Sequence, residues 1–270
     1  MRIACFQGPE ASEMPAGNLG RLRRVAAQAK AGGATALICP EMFLTGYALG
    51  AAEVSRLAEP HDGPSVTEAR KIASDIGIAV VFGMPERAGG KAFNSAVAIG
   101  ADGSILSGYR KVHLFGDVDR SQFAAGQSEA DLFDFGGLKA GLLICYDVEF
   151  PEAVRAMALR GAELILVPTA LMLPFDVVAK TIVPARAYEN QLFIAYANRC
   201  GKEADFDYCG LSCIVGPDGV DRARAGRGEE LIFADIDRDA IRRSRELTPY
   251  LKDRRPEFYG RLSERTESTT

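Results

Sequence analysis

Short apolar runs alternate with segments of helical periodicity through the first third of the chain. Residues 3–6 form an apolar run and read as a buried strand. Leu19, Leu22, Val25, Ala26 and Ala29 then recur on one helical face, and Gly32-Gly33 stops that helix. Residues 36–39 are a second buried strand, 65–76 a second helix and 78–82 a third strand. This rhythm predicts a sheet covered by helices on one face.

The pattern changes after residue 92. Residues 93–99, a turn at Ala101-Asp102-Gly103 and residues 104–109 read as a β-hairpin. Two further strands, 132–135 and 139–144, flank Gly136-Gly137. Pro151 opens a helix to Arg160, where Gly161 can take the left-handed position after the C-terminus. Strand 164–167, helix 176–189 and strand 192–197 follow. Residues 209–215 and 220–225 read as a hairpin around Pro217-Asp218-Gly219, before a strand at 231–234 and a short helix at 239–245. No linker and no repeat of fixed period interrupts the chain. One domain is expected over residues 1–252, with a polar tail, 253–270, flexible or held at a subunit interface.

Composition narrows the class without choosing the chemistry. With 47% hydrophobic and 25% charged residues, the 270-residue chain is an ordinary globular protein. The net charge of −4, without any basic run, speaks against nucleic acid as a partner. No stretch is apolar enough for a membrane span or an export signal, so a cytoplasmic location is expected. The six cysteines lie apart in apolar surroundings without a CxxC pair, and are expected to be thiols.

Three segments place a reactive side chain just after a buried strand, where α/β sheets set their sites. Glu41 follows the strand at 36–39; a carboxylate stripped of water can serve as a base near neutral pH, or it is only a charge at a turn. Lys111 follows the first hairpin, a position equally open to a solvated lysine. Cys145 stands between a strand and the helix opened by Pro151, where a helix dipole would make the thiol more acidic. His113 reads as a packed side chain and His61 as a loop residue. Cys5, Cys39, Cys200 and Cys213 read as small core residues.

In this order, PEMFLTGY (40–47), YRKVHLFG (109–116) and GLLICYDVEFPE (141–152) resemble the nitrilase superfamily of carbon–nitrogen hydrolases. VPTALMLP (167–174), ARAYENQLFIAYANRCG (185–201) and GLSCIVGPDG (210–219) extend the match to about residue 252. The resemblance implies a four-layer α-β-β-α fold, a catalytic set of Glu41, Lys111 and Cys145, and a homodimer or higher homo-oligomer paired through helices near the nucleophile and the C-terminal segment. It implies an accessory acid at Asp119, where glutamate is commoner; Asp117 could share that role, or both could simply cap the loop.

CYDVEFPE is similar to the family's amidases, whereas nitrilases more often carry Trp-Glu after the cysteine. The implied partner is a small aliphatic or ω-amino amide, hydrolysed through a thioester with no metal or organic cofactor. The Tyr146 N–H is a candidate oxyanion donor beside Lys111. Glu149, then Asp147 and Asp119, are candidates to hold a substrate ammonium, unless Asp147 and Glu149 only cap the following helix. N-carbamoyl amine hydrolysis, nitrile hydrolysis and acyl transfer on the same site are the competing chemistries. A non-catalytic binding protein would have no physical need for all three reactive residues.

Overall fold

The computed structural model describes residues 1–9, 15–129 and 131–264. The first half of the chain supplies β1 (Arg2–Gln7), α1 (Pro15–Ala31), β2 (Ala36–Ile38), α2 (Ala51–Leu57), α3 (Pro64–Ile76), β3 (Ala79–Ala88), β4 (Lys91–Ile99), β5 (Ile105–Arg110) and α4 (Gly116–Gln122). The second half supplies β6 (Phe133–Phe135), β7 (Leu138–Leu142), α5 (Pro151–Leu159), β8 (Leu164–Pro168), α6 (Val183–Asn190), β9 (Phe193–Ala197), β10 (Cys200–Glu203) and β11 (Phe206–Cys209). It ends with β12 (Cys213–Val215), β13 (Asp221–Arg224), β14 (Glu230–Asp235), α7 (Arg238–Leu247) and α8 (Tyr250–Asp253).

These strands form two six-stranded mixed sheets, ordered β14-β1-β2-β3-β4-β5 and β13-β12-β9-β8-β7-β6. The parallel pairs β1/β2, β2/β3, β7/β8 and β8/β9 lie at the sheet centres, and antiparallel strands build outward from them. The sheets pack face to face, with β1 on β9, β3 on β8 and β5 on β6. Alternation along each strand then fixes the layers. On β1, Ile3 and Cys5 face the second sheet, while Ala4 and Phe6 face Leu22, Val25, Ala26 and Ala29 of α1 and Val66, Ala69, Ile72 and Ala73 of α3. Beyond the second sheet lie α5 and α6, burying Val154, Met157, Val183 and Ala187. Both faces of each sheet are therefore covered, which is why the central strands read as unbroken apolar runs. The expected four-layer α-β-β-α fold is the observed one.

The differences from the sequence reading are local. Residues 209–212 do not continue a strand into residue 213. Cys209 ends β11, which pairs with β10 as a separate two-stranded ribbon, and the chain then bends through Gly210 and Leu211, both at positive φ. A Cβ on Gly210 would sit 2.8 Å from the Gly226 carbonyl oxygen, so only glycine fits that bend. The helix read over 176–189 begins as a wide i→i+5 turn over Val178–Ile182, directly ahead of Pro184, which has no N–H for the turn behind it. The strand read over 78–82 runs on to Ala88, through Pro85. The short helices α2 and α4 carry too few apolar positions to show a period. Of the tail, Pro256–Phe258 and Gly260–Ser263 form single 3₁₀ turns, and residues 265–270 lie outside the described residues.

Candidate active site

Glu41 leaves β2 in a turn pressed against β3. Gly83 makes that contact possible, because a Cβ there would lie 2.3 Å from the Met42 nitrogen. Met42 takes a positive φ of 50°. The turn is held from outside by Arg199, fully buried just ahead of β10, which donates to the Glu41 carbonyl at 3.0 Å and to the Met42 carbonyl. The ribbon β10/β11 holds the next stretch: Glu203 accepts from the Tyr47 N–H at 2.6 Å, the Ala48 N–H at 2.9 Å and the Tyr208 hydroxyl at 2.7 Å.

Lys111, one residue past β5, points its ammonium into the same buried volume. It donates to Glu41 Oε1 at 2.8 Å and to Asp119 Oδ2 at 2.7 Å. All three side chains are sealed from solvent. Asp119 also accepts from the Tyr47 hydroxyl at 2.9 Å and the Phe115 N–H at 2.8 Å. It therefore caps the start of its own helix and also pairs with the lysine. Asp117 is exposed and takes no part. Asn94 of β4 donates to Glu41 Oε1 at 2.6 Å.

Burial pushes the Glu41 carboxyl above the usual range, and Asp119 adds to this; Lys111 and Asn94 pull the other way without prevailing. Burial works against the Lys111 charge, but the groups around it, Glu41 first, outweigh it and keep it protonated.

Cys145 opens a 3₁₀ turn, Cys145–Glu149, after β7, and holds a positive φ of 46°. A non-glycine residue there is strained, and two anchors hold it. Asp147, fully buried, accepts from the Ile144 N–H at 3.1 Å, the His113 N–H at 2.9 Å and the Tyr109 hydroxyl at 3.0 Å, and its Oδ1 lies 2.7 Å from His113 Nδ1. Arg186 donates to the Val148 carbonyl at 3.2 Å and the Glu149 carbonyl at 2.7 Å. His113 stacks on Phe150 with ring centroids 3.9 Å apart, a packed side chain as expected. Replacing Asp147 with alanine would strand these buried donors. The expected cost is about 3 kcal/mol, seen as a lower denaturant midpoint with unchanged m-value.

The Cys145 thiol is not made acidic by the helix that follows. Burial raises its pKa well above the ordinary value, and the Glu41 charge raises it further, against Lys111 and a hydrogen bond with the Ala170 backbone. The other five cysteines are also buried free thiols. Cys200 and Cys209 are pushed up to about 11 and Cys213 to about 12 by burial.

Cys145 opens into a cavity of about 220 Å³ walled by Tyr47, Phe115, Tyr146, Leu171, Met172 and Phe175. Glu149 is the one charged side chain in that wall among the described residues, and burial raises its carboxyl pKa. Asp147 and Asp119 are spent on internal partners and cannot meet a substrate ammonium. Asn94, Arg199 and Glu203 escaped the sequence reading, because each acts across more than fifty residues of chain on groups no local pattern connects.

The carbon–nitrogen hydrolase family model matches residues 2–246. The chain is 50% identical to "Hydrolase in pqqF 5′region" of Pseudomonas protegens, over 98% of this chain and 93% of that protein. It is 37% identical to an (R)-stereoselective amidase of a Pseudomonas species, over 87% and 84% of the two chains. The NitN amidase of Nesterenkonia sp. AN1 superposes with a TM-score of 0.84 at 36% identity, covering 97% of this chain and 99% of that one. Another structure of that amidase carries the acetamide moiety of fluoroacetamide on its active-site cysteine. The chain belongs to the carbon–nitrogen hydrolase family, the nitrilase superfamily. It is an amidase of that superfamily, an enzyme of non-peptide carbon–nitrogen bonds.

Proposed function

We propose that this amidase hydrolyses a small linear amide to a carboxylic acid and ammonia through a thioester on Cys145, with Glu41 as base and acid and Lys111 as oxyanion donor. The observation that carries the reading is the buried Lys111–Glu41 ion pair set against a thiol at the head of a small cavity. Glu41 takes the thiol proton as sulfur attacks the carbonyl carbon. Lys111 has three N–H donors, of which Glu41 and Asp119 occupy two; the third is left for the tetrahedral oxygen. Tyr146 lies in the first turn after the strand, where its N–H has no intrahelical carbonyl, and serves as the second donor. Glu41 returns the proton to nitrogen, the C–N bond breaks and ammonia leaves. It then takes a proton from water attacking the thioester; the C–S bond breaks and the thiol is restored.

The apolar wall with Glu149 as its one charge suits a short chain with a cationic far end, and 5-aminopentanamide is the substrate we assign. The sequence supports this through RIA-x-x-QG at the start, HLFG-x-x-DRS-x-F at 113–123 and YCG at 208–210, which resemble 5-aminopentanamidase. Glu149→Gln should raise KM about tenfold for ω-amino amides, the loss of roughly one charged contact, and leave butyramide unchanged. Equal losses on both would remove the assignment. Ammonia and free acid released from an amide panel, compared with the matching nitrile and with carbamoyl amines, test the reaction itself. We also propose a homodimer paired through α5 and the tail, supported by a groove of about 420 Å³ between them that includes the exposed Leu159 and Leu262.

A further inference from the structure

We infer that Asn94 is a positioning residue for the base: its side-chain amide confines the charge of Glu41 to one oxygen and leaves the other free to take the proton of Cys145. This rests on the proposed role of Glu41.

Asn94 lies on β4 opposite Pro85 and is almost fully buried. Its Nδ2 donates to Glu41 Oε1 at 2.6 Å, the same oxygen that accepts Lys111 Nζ at 2.8 Å. Glu41 Oε2 is buried with no partner among the described residues. Donors to the charged form of a carboxylate lower its proton affinity, and two on one oxygen make the other oxygen the basic one. The orientation of the amide follows, since turning it over would set Oδ1 against a carboxylate oxygen. The backbone carbonyl of Asn94 accepts from the Lys111 N–H at 2.8 Å, so one residue sets both the height of the lysine and the face of the carboxylate.

The ionisable groups facing Glu41 are Lys111 beyond β5, Asp119 of α4, Tyr47 beyond β2, Cys145 and Tyr208 of β11. Of these and Asn94, only Lys111 and Asn94 donate a hydrogen bond to its carboxylate. Asn94 is absent from the cavity wall, and its amide reaches the site through Glu41.

The test measures kcat and KM from about pH 5 to pH 9 for wild type, Asn94→Ala, Asn94→Asp and Glu41→Gln. Asn94→Ala should lower kcat about 10- to 100-fold at neutral pH and keep KM within about twofold. It should also move the acid limb of kcat/KM up by about one pH unit, because the carboxylate loses a donor. Asn94→Asp, nearly the same size, should move the limb further by adding a negative charge, and it reads the same quantity if the alanine variant does not fold. A fall in kcat with the acid limb in place, or no change at all, overturns the inference. Glu41→Gln separates the two readings. Near-normal activity there defeats the base assignment itself, whereas an inactive Glu41→Gln beside an unshifted Asn94 series defeats only the present inference.

Discussion

Cys145→Ala is expected to abolish ammonia release, by about 10⁴-fold or more, while the folded enzyme keeps its stability within about 1 kcal/mol. The reason for the size is that no other thiol lines the cavity among the described residues. Glu41, beside the thiol, has its carboxylate charge tied to Lys111, and Tyr47 is held by Asp119. The reason for the mild structural effect is that the anchors of the turn do not involve the sulfur. Asp147 and Arg186 grip backbone groups on either side of it and remain in place. Ammonia assay and thermal melting on the same preparation check both halves. An active alanine variant would end the thioester mechanism, and a collapsed one would make Cys145 a structural residue first. Cys145→Ser should be nearly as inactive, since a hydroxyl gives up its proton far less readily to the same carboxylate.

Lys111→Met should be damaging in two separate ways. It removes the donor for the tetrahedral oxygen, expected to cost about 10³-fold in kcat. It also leaves Glu41 and Asp119 sharing a sealed volume with no cation. Breaking a buried pair of this kind costs about 3–5 kcal/mol, or roughly 6–10 °C in melting temperature for a chain of this length. The pH dependence has a defined sign. Burial already raises the Glu41 carboxyl in the folded protein, and removing Lys111 raises it further. A carboxyl with a raised folded pKa favours the folded state below its unfolded pKa and withdraws that support as pH rises through the folded value. The variant should therefore lose most stability at neutral and alkaline pH and recover part of it as pH falls to about 4 and below, where the carboxyl becomes protonated in both states. Melting curves across that range would show the recovery. A pH-independent loss would mean that packing around the lysine stem, and not charge, sets the cost.

The sequence by itself determined the central strands and the two main helices of the first half, and it pointed to the three residues on which the proposed chemistry rests. Strands buried on both faces must be apolar throughout, and an amphipathic helix must repeat its apolar face every three or four residues, so local order writes both into the chain. Glu41, Lys111 and Cys145 were legible because each stands beside a strand end inside a distinctive run of residues. The ribbon β10/β11, the bend at Gly210 and the wide turn before Pro184 were not, because partners distant in the chain set them. The tertiary structure alone decided which carboxylate does what. Asp119 meets the lysine, Asp147 anchors the Cys145 turn, Asp117 stays in solvent and Glu149 faces the cavity, though all four look alike in sequence. It also reversed the expected acidity of Cys145, because the loss of water around a buried thiol outweighs the field of a nearby helix end and of a lysine whose charge two carboxylates already balance.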